Sequence, residues 1–177
     1  MLIRRESERD ISAIGAITTA AFAPRGERLP AEATLVAEAT LVDELRTSDA
    51  WLPPLSLVAE NDDGEITGHV VCSRGHVDGV PALGLGPLSV RPDRQRHGVG
   101  SALMHAVLGA ADALGEPFVA LLGDPGYYER FGFRLSSEYG IEPPDPGWHK
   151  HFQVRVLSAY EPGVRGTFRY AEPFDRV

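Results

Sequence analysis

Along this chain, hydrophobic positions come either in short alternating or unbroken runs or at intervals of three and four residues. Leu2–Glu6 reads as a short first strand. Ser7-Glu-Arg-Asp10 looks like a capping box, and Ile11, Ile14, Ile17, Ala21 and Phe22 follow at helical spacing, with Pro24 and Gly26 ending the helix. A second helical stretch is expected from Pro30 to about Arg46. It carries a local duplication, Glu32-Ala-Thr-Leu-Val-Ala and Glu38-Ala-Thr-Leu-Val-Asp, whose offset turns the two copies to different helix faces. That offset is far below the roughly 20–50 residues of a repeat architecture, so no solenoid is implied.

Pro53-Pro54 breaks the pattern, and strands are predicted at Leu55–Glu60 and Ile66–Ser73 around the turn Asn61-Asp-Asp-Gly64. Ala82–Val90 is a third apolar run. From Gly98 to Leu114, Val99, Leu103, Ala106, Val107, Ala110 and Leu114 form a wide apolar helix face, closed by Gly115. Phe118–Leu122 is wholly apolar, as expected of a strand buried on both faces. A short helix around Tyr127–Phe131, a strand from Phe133, and strands at Phe152–Leu157 and Thr167–Tyr170 complete the reading. The order of elements predicts a mixed α/β (α+β) fold with a mostly antiparallel sheet and one domain over residues 1–177.

Composition narrows the options. The chain has 177 residues, 43% hydrophobic and 24% charged, which suits a folded protein rather than a disordered one. No apolar run reaches the roughly 20 residues of a membrane-spanning helix, and no apolar segment follows the charged start MLIRRESERD. With one cysteine there is no internal disulfide framework, and a cytoplasmic location is expected. The formal charge of −8 argues against nucleic acid or an anionic membrane as partner, and is compatible with a cationic substrate or with solubility alone.

The stretch that carries chemistry is Leu88-Ser-Val-Arg-Pro-Asp-Arg-Gln-Arg-His-Gly-Val-Gly-Ser-Ala-Leu103. A strand ends at Val90, a polar loop with Arg91, Arg94 and Arg96 follows, and Gly98-Val-Gly100 opens a helix. Free N–H groups at a helix start can hold phosphate, glycines allow it to come close, and arginines add charged donors. The same glycines would also serve a plain tight turn. No lysine precedes Ser101, which excludes a P-loop, and Leu103 occupies the position where a dinucleotide fingerprint wants a small residue.

Gln95-Arg-His-Gly98-Val-Gly100 resembles the Gln/Arg-x-x-Gly-x-Gly/Ala motif of the GNAT superfamily of acyl-CoA-dependent N-acyltransferases. Tyr128-Glu-Arg-Phe-Gly132-Phe133 is similar to the family's Tyr-Glu-x-x-Gly-Phe segment, at the family's spacing. The resemblance implies a splayed sheet of about six to seven strands with helices on both faces. It also implies acetyl-CoA as cosubstrate, no metal, and a small-molecule or peptide amine as acceptor, with homodimers common in the family. By that resemblance Gln95, Arg96, His97, Gly98, Val99, Gly100 and Ser101 would cradle the diphosphate, and Leu88, Ser89 and Val90 would pair with the pantetheine arm. Gly86-Pro87 is a candidate bulge, and Gly123, Asp124, Pro125 and Tyr127 would form the opposite wall. Tyr128 would be the general acid toward the leaving thiolate, or a hydrogen-bond donor to it without proton transfer. A non-catalytic acyl-CoA-binding or sensing module is the alternative, and retention of Tyr128 favours catalysis.

Weaker candidates complete the list. Glu60 and His76, each at a strand end, are candidate general bases or plain solvated residues. His149 and His151 do not amount to a zinc site without further ligands. Cys72 reads as a small apolar strand residue rather than a nucleophile, His97 as a possible cofactor contact, and His105 as exposed helix surface. The acceptor's walls are expected from Phe22–Leu29, the Trp51 region and the Gly140–His151 loop with Trp148.

Overall fold

A computed structural model describes residues 1–23 and 31–176, with backbone alone over 31–37. The helix end expected at Pro24 and Gly26, and most of the acceptor wall expected over Phe22–Leu29, lie outside the described residues. Among those described, β1 (Leu2–Arg5) leads through a short 3-10 turn into α1 (Ile11–Ala21), followed by α2 (Ala31–Thr47). Next come β2 (Ser56–Glu60), β3 (Ile66–Val77), β4 (Val80–Val90), α3 (Val99–Ala113) and β5 (Phe118–Leu122). The single turn α4 (Pro125–Tyr128), β6 (Arg134–Leu135), β7 (Ile141–Glu142), β8 (Phe152–Val156) and β9 (Gly166–Arg169) complete the set.

The capping box holds: Asp10 Oδ2 accepts from the Ser7 backbone N–H and hydroxyl, both at 2.8 Å. The main path through the sheet is β1-β2-β3-β4-β5-β8-β6, with β9 on the far end of β3 and β7 on β9. Seven strands lie on that path and the fold class is the one expected. β3 and β4 are longer than the apolar pattern suggested because Asp78-Gly79, both at positive φ (45° and 82°), join them in a tight hairpin. An Asp-Gly pair between two apolar runs is a strong hairpin signal that was legible in the sequence.

Strand alternation sorts the core into two layers. Leu57, Ala59, Val70, Cys72, Leu83, Leu85, Val119 and Leu121 pack under α3, against Val99, Leu103, Met104 and Val107. On the other face, Val58 meets Ile14 and Ile17 of α1, and Val71 meets Leu41 and Leu45 of α2. Phe118 and Ala120 face a second cluster with Phe152, Val154 and Phe168. β5 is thus covered on both sides, as its unbroken apolar run implied.

The β4–β5 junction positions the site. These strands pair in parallel only at Leu83↔Val119 and Gly84↔Ala120. Beyond that, the register of β4 on β3 shifts between Val70↔Leu88 and Cys72↔Leu85, so the extra residue falls at Gly86-Pro87. The bulge expected there turns β4 away from β5. The Tyr170 ring sits at the fork, over Gly84, where an added Cβ would come within 2.6 Å of it. It hydrogen-bonds the backbone at Leu122 and stacks on Phe174 at 4.5 Å.

A nearly buried polar network ties α2 to the sheet. Glu6 accepts from Arg46 Nε at 2.6 Å, from the Ser56 hydroxyl, and from His69 Nε2 at 3.2 Å. Burial alone would raise the Glu6 carboxyl, but hydrogen bonds from His69, Arg46 and Ser56 outweigh it and hold the carboxyl at about 2. Its contribution to stability is complete above the ordinary carboxylate range and is lost as pH falls toward 2. Arg46→Met is expected to cost about 3 kcal/mol by leaving a nearly buried carboxylate short of its cation, and to move acid unfolding to higher pH. Urea melts between pH 2 and 7 would show both, and unchanged melts would refute it.

Candidate active site

The loop from β4 to α3 turns on two residues in left-handed conformations, Arg96 (φ 62°) and Gly98 (φ 83°). Gly98 is the N-cap of α3, in open space, so glycine is required there by backbone conformation and not by crowding. Gln95 Nε2 donates to the Val90 carbonyl at 3.0 Å, and His97 Nδ1 donates to the Gln95 carbonyl at 2.7 Å. These bonds fold the loop back on the end of β4. The first intrahelical bond runs from Ala102 N–H to Gly98 C=O (2.9 Å), which leaves the N–H groups of Val99, Gly100 and Ser101 without helical partners. The Val99 side chain is buried in the core and only its backbone serves the loop.

The charges around this helix start differ from the expected arginine cluster. Asp93 takes Arg91 at 2.7 Å and Arg94 at 3.6 Å. Arg96, exposed, has no carboxylate partner among the described residues. Arg130 lies over the Tyr127 ring at 4.8 Å, a cation that the motif reading missed. Tyr127 reaches α3 itself: its hydroxyl bonds Ser101 and stands 2.9 Å from where a Gly100 Cβ would be.

Along β4, direction alternates. Arg91 N–H donates to Thr67 C=O on β3 at 2.9 Å, so Ser89 also faces β3 while Leu88 and Val90 direct their backbone groups into the fork. The bond from Gln95 to the Val90 carbonyl agrees. Ser89 spaces this edge: its hydroxyl is buried and donates to Thr18 of α1 at 3.2 Å.

The far wall is built on α4. Asp124 accepts from the Gly126 N–H with its side chain (2.9 Å) and from the Tyr127 and Tyr128 N–H groups with its carbonyl (3.0 and 3.1 Å). Pro125 occupies the first helical position, where its missing N–H costs nothing. The Tyr128 ring lies on Gly123 and meets Tyr127 and Phe133 edge-on at 4.9 and 5.9 Å. Its hydroxyl makes no hydrogen bond to any described residue, and burial, reinforced by Tyr127, pushes the phenol up to about 12. The hydroxyl therefore keeps its proton at neutral pH.

A cavity of about 710 Å³ opens from the fork toward α2 and the C-terminal turn. Tyr128, Leu88, Phe22 and Trp148 line it, as expected, together with Glu38, Tyr170 and Phe174, which were not anticipated. Trp51 is not part of it; the ring packs beside Arg46, at 5.8 Å, in the α2 layer. Neither base candidate reaches this space. Glu60 is taken by Arg4 at 2.7 Å, and His76 is exposed within β3, opposite Arg169 of β9. Cys72 is fully buried and its thiol is pushed up by burial, so it presents no nucleophile. His105 is exposed on α3, edge-on to Phe131. Among the described residues no cluster of metal-ligating side chains occurs, and no helix is long and apolar enough to cross a membrane.

The forked sheet, the helix start at its mouth and the tyrosine on its far wall define the class as an N-acetyltransferase fold. The chain belongs to the GNAT family: residues 54–135 match the model of the acetyltransferase (GNAT) domain. It is 34% identical over 179 residues to the uncharacterized N-acetyltransferase YhbS of Escherichia coli strain K12, covering 99% of each chain. The 1.55 Å crystal structure of E. coli YhbS in complex with CoA matches with a TM-score of 0.86 at 32% identity, over 98% of this chain and 91% of that one. A GNAT family acetyltransferase from Brucella melitensis in complex with acetyl-CoA matches with a TM-score of 0.77 at 34% identity, over 98% and 97%.

Proposed function

We propose that this chain transfers an acetyl group from acetyl-CoA to a primary amine by direct attack, with Tyr128 donating to the leaving sulfur. The observation that carries this reading is the uncovered edge of β4 at Leu88 and Val90, set in a fork whose other wall holds a tyrosine hydroxyl with no partner among the described residues. The donor set suits the cosubstrate: free N–H groups at the start of α3 for a diphosphate, and an unpaired strand edge for an amide-bearing arm. The relatives seen with CoA and acetyl-CoA support the choice of cosubstrate.

When bound, the thioester supplies the activated acetyl carbonyl. The backbone from Arg96 to Ser101 holds the diphosphate, with Gln95 and His97 fixing the loop. Leu88 and Val90 offer N–H groups to the arm and to the oxyanion that develops on attack; Pro87 has none to offer. Gly123, Asp124, Pro125 and Tyr127 keep the opposite wall in place. As the new C–N bond forms and the C–S bond breaks, Tyr128 passes its proton to sulfur and is reprotonated by the proton the amine nitrogen loses.

Thermal stabilisation by acetyl-CoA, followed by thiol release across a panel of primary amines, tests the reading. Stabilisation and release together are expected. Stabilisation without release from any amine would replace transfer by a sensing role. Binding of ATP or NAD but not of CoA would remove the family-type cosubstrate altogether.

A further inference from the structure

We propose that the cavity beside the fork takes a primary monoamine carried on an aromatic-sized apolar body, and that Glu38 of α2 receives its ammonium and takes its proton. The proposal rests on the transfer reading above and adds the acceptor class and the base. Glu38 and Tyr128 line the same cavity, so a group held at one opens onto the space served by the other. The volume of about 710 Å³, which includes the fork that would take the cosubstrate's arm, lies in the range of small-molecule sites. Phe22, Trp148, Phe168 and Phe174 contribute aromatic rings to its walls.

Four charged residues line it, and their situations differ. Glu172 is paired with Arg176, while Arg169 and Asp175 are exposed. Glu38 is only partly exposed and has no hydrogen bond or ion pair with any described residue. A half-buried carboxylate without a partner is poorly solvated, and an incoming ammonium would relieve that cost. Burial raises the Glu38 carboxyl, which strengthens it as a base. Tyr128 and Tyr170 also line the cavity, the Tyr170 hydroxyl being bonded to the backbone at Leu122. On α2 itself, Asp43 and Arg46 are engaged with each other, Arg46 also with Glu6, and Glu44 with Arg176. α1 presents no titratable side chain. Of the two lining carboxylates without a partner among the described residues, Asp175 is exposed to solvent and only Glu38 is partly buried, so a single ammonium on an apolar body fits the buried part of the cavity better than a polyamine.

The step balances. Glu38 takes one proton from R–NH3⁺, the neutral nitrogen forms the C–N bond as the C–S bond breaks, and Glu38 returns its proton to solvent. An ammonium holds its proton well above a carboxyl, so the transfer is uphill at rest and is drawn forward by consumption of the neutral amine.

The test compares wild type, Glu38→Gln and Glu38→Asp with 2-phenylethylamine, putrescine and glycinamide. Thiol release is followed from pH 6 to 10, and 2-phenylethylamine binding to the CoA-loaded protein is measured by calorimetry. Wild type should prefer 2-phenylethylamine by at least about tenfold in kcat/KM. E38Q should lose at least about tenfold near pH 7.5, recover toward wild type as pH approaches 10, and bind the amine at least about threefold more weakly, with acetyl-CoA stabilisation unchanged. E38D should recover part of the loss. Equal pH profiles for wild type and E38Q, or a clear preference for putrescine or glycinamide, would overturn the assignment. No thiol release by wild type from any amine would overturn transfer instead, and calorimetry would still decide whether Glu38 holds the ammonium.

Discussion

Tyr128→Phe is expected to lower kcat at least about tenfold, roughly 1.4 kcal/mol or more of barrier, while acetyl-CoA affinity stays within about twofold. The separation follows from how the residue is held. The ring makes the packing contacts, on Gly123 and edge-on to Tyr127 and Phe133, and phenylalanine would keep them. The hydroxyl has no partner to abandon among the described residues, so its removal leaves none of them unpaired and stability should change by less than about 1 kcal/mol. Because burial holds the phenol near 12, it stays protonated through the working range, and a fall in wild-type rate below pH 9 would belong to another group. Single-turnover rates with calorimetric CoA binding would check this. Near-parental turnover with a good amine would take Tyr128 out of the proton-donating role.

Ser101→Asp should separate folding from binding in the opposite manner. Ser101 is in the first turn of α3, where a carboxylate can accept from free N–H groups and meets the positive end of the helix dipole. The melting temperature should hold or rise by a few degrees, despite loss of the Tyr127 hydrogen bond. Acetyl-CoA affinity should fall at least about 100-fold, roughly 2.7 kcal/mol, because carboxylate and diphosphate compete for the same donors and repel each other. Raising the salt should narrow the gap by screening that repulsion. If the variant binds acetyl-CoA as tightly as wild type, the diphosphate sits elsewhere.

Much of the site was readable because it is local. The loop Gln95–Ser101 and the turn Asp124–Tyr128 each depend on neighbours a few residues away: a positive φ at Gly98, a capping Asp124, a proline at the first helical position. The long apolar face of α3 and the unbroken run of β5 were equally plain, since each states its own burial. The bulge at Gly86-Pro87 was signalled by residue type. The hairpin at Asp78-Gly79 was signalled too and passed over, which misplaced His76 at a strand end when it lies inside β3.

Other features left no local mark. Glu38 belongs to a duplicated helical stretch in which nothing distinguishes it from Glu32, and only the packing of α2 beside the C-terminal turn places it on the cavity. Tyr170 and Phe174 meet the fork because β9 returns to pair with β3 at His76↔Arg169, a contact across about half of the chain. Arg91 and Arg94 looked free for phosphate until the folded loop gave both to Asp93.

The amino-acid order by itself determined most of the elements, the helix start with its free N–H groups, and the turn that carries Tyr128, because backbone conformation and periodicity are set within a few residues. The tertiary structure alone decided which carboxylate lines the cavity beside the fork, which arginines stay unpaired among the described residues, and which ring sits at the fork. Those depend on burial and on charges brought together from distant parts of the chain, and neither exists until the sheet has closed.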